Sequence, residues 1–154
     1  MIPIDMARDP SGWTILYDEA CGFCRWSLAQ VLARDRARVL RPLALGTPEA
    51  DALLHDLEPQ ERAASFHLVS PDGRRASAGA AAPPLLRLLP RGRRPAALLA
   101  ATPKSTERVY RFVADHRSWF GKLVPGPAKA RADRLIDHRR DQATADSAGS
   151  LASR

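Results

Sequence analysis

Two cysteines, the only ones in 154 residues, stand two residues apart at Cys21 and Cys24. They directly follow a short apolar run and directly precede a stretch with helical periodicity. No other feature constrains the fold as tightly. Trp13-Thr14-Ile15-Leu16-Tyr17 reads as a buried strand rich in β-formers. Cys21 to about Arg36 reads as the first helix, with Cys24, Leu28, Val31 and Leu32 on one face at i, i+4, i+7 and i+8. A strand that delivers C-x-x-C to the start of a helix is the layout of a thiol–disulfide redox site. Unpaired N–H groups at a helix start carry partial positive charge and stabilise a thiolate, the attacking species. Cys21, in the first turn, is then the candidate nucleophile. Cys24, on the core-facing stripe, is the resolving thiol. Cys21 would open a substrate disulfide to a mixed disulfide, and Cys24 would attack Cys21 and release the reduced substrate.

Neighbouring groups modulate this pair. Arg25 favours a thiolate, whereas Asp18 and Glu19 disfavour one. Asp18, three residues before Cys21, has two compatible roles: relaying a proton for the cysteines, or capping the helix or its preceding turn. Phe23 would form an apolar lip for substrate or simply pack.

Other readings of the cysteine pair stay open. It could be half of a zinc site, but a closed site takes four ligands. No second C-x-x-C exists, and His55, His67, His116 and His138 include no H-x3–5-H pair, so distant histidines or a second copy would have to complete it. A structural disulfide closing so short a loop would stabilise little. Two inert reduced core cysteines are a further alternative. Three function classes follow: an oxidoreductase, a non-enzymatic scaffold whose cysteines act as a redox switch, and a metal-binding protein.

Length suits one domain with tails and a core that needs no disulfide staples. Two cysteines are too few for a secreted disulfide scaffold. Met1 to Ser11 holds Asp5, Arg8 and Asp9 and no apolar leader core. The longest apolar stretch, Pro95 to Pro103, is far too short to span a bilayer. The expected address is therefore the cytoplasm, and an integral membrane protein is not expected. In a cytoplasm a C-x-x-C is kept largely reduced, which favours catalysis or sensing. Residues 1–62 carry 7 Lys/Arg against 10 Asp/Glu, and residues 63–154 carry 17 against 7. The densest basic stretch holds Arg87, Arg91, Arg93 and Arg94. No nucleic-acid motif or interleaved aromatics accompany it. A solvated basic surface is expected rather than a nucleic-acid partner, although the scaffold reading would dock a partner there.

The remaining elements follow from local signals. Val39-Leu40-Arg41-Pro42-Leu43 reads as a second strand, with Pro42 weakening its end. Thr47-Pro48-Glu49 opens a helix reaching about Leu57, and Pro59 falls in the following loop. Ser65 to Val69 is a third strand. Ser70-Pro71-Asp72-Gly73 is a turn, so Arg74 to Ala78 pairs back as a hairpin. Helix follows from Gly79 to Leu89, with Pro83 and Pro84 in its first turn. Pro90 to Pro95 is a loop. A last clear helix, capped by Ser105 or Thr106, presents Val109, Phe112, Val113, His116 and Phe120 as its apolar face and ends at Gly121. His116 reads as a core-edge histidine. Beyond Pro127 few large apolar residues remain, and Ala143 to Arg154 is expected to be disordered. The expected division is an extension over 1–11, a domain over 12–124 and a basic, partly disordered tail over 125–154. A βαβ unit followed by a ββα unit predicts an α/β fold of thioredoxin-like type: a four-stranded mixed sheet with helices on both faces and extra C-terminal helices.

Ile15-Leu16-Tyr17-Asp18-Glu19-Ala20-Cys21-Gly22-Phe23-Cys24 resembles the signature of the DCC family of predicted thiol–disulfide oxidoreductases. The family's name refers to an Asp and two Cys, here Asp18, Cys21 and Cys24. Similarity extends from about Trp13 to Leu123, through Arg41-Pro42-Leu43, Gly79 and the helix after it, and Val109 to Gly121. The resemblance implies a thioredoxin-like fold and thiol–disulfide exchange. The expected enzyme has no bound cofactor, a protein or small-molecule disulfide as substrate, and a separate reducing partner. Two positions depart from expectation. Glu19 stands where the family usually has Gly, which adds negative charge near Cys21. Ala63-Ala64-Ser65 precede the third strand where thioredoxins place a cis-proline; the resembled family generally lacks that proline, so the fold expectation stands and thioredoxin-type substrate handling is not assumed.

Overall fold

The computed structural model describes residues 12–152. The extension assigned to residues 1–11 lies outside them. Strand β1 (Trp13–Tyr17) lies inside a four-stranded sheet formed with residues 40–44, 67–69 and 75–77, its neighbours being the first and second of these. It pairs in parallel with β2 (Leu40–Ala44), Trp13 opposite Leu40 and Tyr17 opposite Ala44. On its other side β3 (His67–Val69) runs antiparallel, and β4 (Arg75–Ser77) pairs antiparallel with β3. The Ser70–Gly73 turn closes this hairpin, with Gly73 at φ +83°. Pro42 sits within β2 rather than at its end, which an edge strand tolerates because one side needs no ladder donors.

Period-two alternation sends β1 side chains into both layers. Ile15 and Tyr17 pack with Leu28 and Leu32 of α1 (Gly22–Arg34). Leu16 packs on the opposite side with Ala50 of α2 (Pro48–Leu53) and with Leu54. The sheet is therefore covered on both faces, as a thioredoxin-like α/β fold requires. Thr47 caps α2, its hydroxyl accepting the Ala50 N–H at 3.3 Å.

Several elements differ from the sequence reading. The stretch containing Pro59, expected as loop, is α3 (Pro59–Ala64), with proline in its first turn. Residues 78–81 form a 3-10 turn before α4 (Ala82–Leu88). The expected Pro90–Pro95 loop ends early, because α5 (Arg93–Ala101) begins inside it. Pro95 is tolerated there because a first-turn N–H has no intrahelical acceptor, so the donor that proline lacks is not missed. The expected single helix from Ser105 to Gly121 is two: α6 (Pro103–Asp115) and α7 (Arg117–Leu123), broken at His116. Part of its expected apolar face points outward, with Val109 64 % and Phe112 58 % exposed. His116 is also exposed; its Nδ1 lies 2.8 Å from the Phe112 carbonyl.

The segment after Pro127 is corrected most. It forms α8 (Gly126–Ala152), which packs along α1. Ile136 is buried among Tyr17, Leu28 and Leu32, and Ala132 is buried as well. Arg139 is buried too. Its guanidinium donates to Asp35 Oδ2 at 2.9 Å and to the carbonyls of Leu32 and Asp35. The Asp35 carboxylate also accepts N–H groups of Val39 and Leu40, so one buried pair ties the end of α1, the start of β2 and α8.

Candidate active site

Cys21 is the N-cap of α1, in extended conformation, and its Sγ accepts the Cys24 N–H at 3.2 Å. Its carbonyl begins the helix ladder by accepting the Arg25 N–H at 3.0 Å. A sulfur thus occupies the place where Ser or Asp usually satisfies a helix's free donors. The same bond, together with the helix dipole, stabilises negative charge on Cys21. Cys21 and Cys24 are joined as a disulfide, with Cα atoms 5.2 Å apart. Both are partly buried.

Asp18 follows β1 directly. Its Oδ1 accepts the Ala20 N–H at 2.9 Å, and its backbone carbonyl accepts the Cys21 N–H at 3.3 Å. Its side chain therefore caps the turn that delivers the cysteines, and the helix itself is capped by Cys21. The other carboxylate oxygen faces Arg117 of α7 at 3.9 Å.

The charges flanking the cysteines are neutralised from the C-terminal half. Glu19 pairs with Arg140 at 3.0 Å, which offsets the negative charge it adds near Cys21. Arg25 pairs with Asp133 at 3.1 Å, so its cation is directed to α8 rather than to the sulfurs. Lys129 of α8 lays its side chain over Gly22, between the cysteines. A Cβ at Gly22 would sit 3.7 Å from its Cε and 4.0 Å from its Nζ. Arg117, Lys129 and Arg140 had no local sequence signal, since each reaches the site only through tertiary packing.

Phe23 stacks on Phe120 at 5.5 Å and lies 6.0 Å from Trp26, while Trp119 meets Phe120 edge-on at 5.1 Å. Gly121 lies 3.7 Å from Phe23 by its would-be Cβ, so α7 approaches the cysteine loop closely. Phe23 therefore packs, and it also lines a cavity of about 260 Å³ beside the disulfide. The walls are mainly apolar, from Ile15, Leu28, Val31, Phe66, Leu85 and Val113. Asp18, Tyr110 and Arg117 supply polar groups, and Cys24 lines it whereas Cys21 does not. Burial raises the Tyr17 and Tyr110 phenols above their ordinary range. The Tyr110 hydroxyl accepts the Phe66 N–H at 3.2 Å. Ala64 and Ser65, from the segment that precedes β3 without a proline, also border the cavity.

The histidines lie elsewhere. His67 is buried in β3 against Ser77 and the Arg62 carbonyl. Among the described residues no group of three or more His, Cys, Asp or Glu side chains is placed to hold a metal ion. No helix among them is long and apolar enough to cross a membrane.

A family model described as DCC1-like thiol-disulfide oxidoreductase matches residues 15–122. No curated protein and no solved structure matches the chain.

Proposed function

Because the chain belongs to the DCC1-like thiol-disulfide oxidoreductase family, we propose that it exchanges electrons with disulfide substrates through Cys21 and Cys24. The observation that carries this reading is the 3.2 Å bond from the Cys24 N–H to Cys21 Sγ at the start of α1. It stabilises a thiolate on Cys21 in the reduced protein and makes Cys21 the better leaving group in the oxidised one. Cys21 attacks a substrate disulfide, giving a mixed disulfide and releasing one substrate thiolate. Cys24 loses its proton and attacks Cys21, which expels the second substrate thiolate and closes the pair. Asp18, which directly follows β1 and lines the same cavity as Cys24, relays that proton. The chemistry uses no bound cofactor, and the expected setting is the cytoplasm.

Trapping tests the assignment. Cys24→Ser should accumulate a mixed disulfide between Cys21 and a peptide disulfide, read by mass spectrometry. Cys21→Ser should accumulate none. A stable adduct on Cys24 in Cys21→Ser, with none on Cys21 in Cys24→Ser, would reverse the roles.

A further inference from the structure

The apolar cavity reaches one cysteine and not the other, and this gives the site two unlike approaches. Cys24 lines it together with Leu28 and Val31 of the same helix face, while Cys21 stays outside. We propose that the cavity seats a small apolar thiol that re-reduces the oxidised pair by attacking Cys24; this rests on the exchange reading above.

Size and lining set the ligand class. About 260 Å³ is smaller than the usual 300–1,000 Å³ of drug-sized ligand sites. It suits a body of one ring or a short branched alkyl chain rather than a peptide segment. The polar side chains of the lining are Asp18, Ser27, Ser65, Tyr110 and Arg117. Tyr110 is engaged with the Phe66 N–H, and Arg117 is held by the Ala63 carbonyl at 3.3 Å and faces Asp18. A strongly hydrated thiol would recover only part of its lost hydration against a lining that is mostly apolar.

The seated thiol loses its proton, and its sulfur bonds to Cys24 Sγ. The Cys21–Cys24 bond breaks, and its electron pair leaves on Cys21, whose thiolate accepts the hydrogen bond donated by the Cys24 N–H. A second molecule of the same thiol attacks the ligand sulfur of the Cys24 adduct, frees Cys24 as a thiol and departs as the symmetrical disulfide. Two thiols are oxidised to one disulfide and one protein disulfide is reduced; one proton ends on Cys24, and the other passes to solvent while Cys21 remains a thiolate. Substrate disulfides meet Cys21 outside the cavity, so the two half-reactions use different sulfurs.

The test is the reduction rate of the oxidised full-length protein by benzyl mercaptan, 2-mercaptoethanol and 2-mercaptoethanesulfonate. Each rate is divided by that thiol's rate with oxidised glutathione. The normalised rate for benzyl mercaptan should exceed the others by at least about tenfold, the ratio of a modest binding preference. It should also saturate with concentration, and acid-quenched samples should carry the first adduct on Cys24. Ala114→Leu and Ser27→Leu, both cavity-lining positions, should remove the saturation in protein that keeps its wild-type circular dichroism. Equal normalised rates without saturation in the wild type, or a first adduct on Cys21, would overturn the proposal. Exchange with a peptide disulfide, measured on the same preparation, separates the two readings. Exchange retained without the apolar preference overturns only this proposal, and exchange lost overturns the function beneath it.

Discussion

At the scale of the residue, one atom of Cys21 serves the fold and, in the proposed exchange, the chemistry as well. Its sulfur caps α1 and is also the group that the helix start polarises. Asp18 divides its work between two oxygens: one holds the Ala20 N–H, the other is directed toward Arg117. Asn keeps a carbonyl for the first task and lacks the carboxylate for the second. Asp18→Asn should therefore fold normally by circular dichroism yet reduce a model disulfide about a hundredfold or more slowly, the usual range of general acid–base effects. His67 offers an independent check. Its Nε2 lies 3.0 Å from the Arg62 carbonyl and its Nδ1 2.7 Å from Ser77 Oγ, which suits a neutral ring. Burial pushes its pKa below the ordinary value. The unfolded chain then binds the proton more readily than the folded one, so stability falls as pH drops through the unfolded pKa of about 6.5. Urea unfolding between pH 7.5 and 5 should show a His67 contribution with a slope of at most about 1.4 kcal/mol per pH unit. His67→Gln should flatten the profile by that contribution, and an unchanged profile would contradict the buried neutral histidine.

At the scale of the element, α8 is the part that local reading could not supply. Its large apolar residues are sparse because it needs only a narrow stripe, Ala132, Ile136 and Arg139, to lie on α1. Ile136→Ala should cost about 2–5 kcal/mol, the range for truncating a buried aliphatic side chain. Arg139→Leu should cost about 3–5 kcal/mol because it leaves Asp35 buried without its cation. Guanidinium unfolding measures both, and values under about 0.5 kcal/mol would return the segment to the status of a loose tail. The strands and the cysteine helix were legible because β-rich runs and the 3.6-residue period act locally. Tyr17 and Cys24 could be placed on that basis. The outward face of Val109 and Phe112 could not, since periodicity finds an apolar stripe without saying what covers it. The break at His116 left no Gly or Pro to mark it.

At the scale of the whole molecule, the charge asymmetry has a structural use. The acidic first part and the basic remainder meet through Glu19–Arg140, Asp35–Arg139 and Asp18–Arg117. Part of the basic excess, expected as plain solvated surface, is thus spent holding the cysteine loop and α1 in place. The site is assembled from both ends of the described chain, although its motif occupies seven residues, Asp18 to Cys24. The central claim is that Cys21 carries disulfide exchange. Its most direct test is multiple-turnover reduction of a protein disulfide, driven by a dithiol reductant, for wild type and for Cys21→Ser shown to be folded. Wild type should turn over well above the uncatalysed rate, with Cys21→Ser reduced to that background; equal turnover by the folded variant would contradict the account.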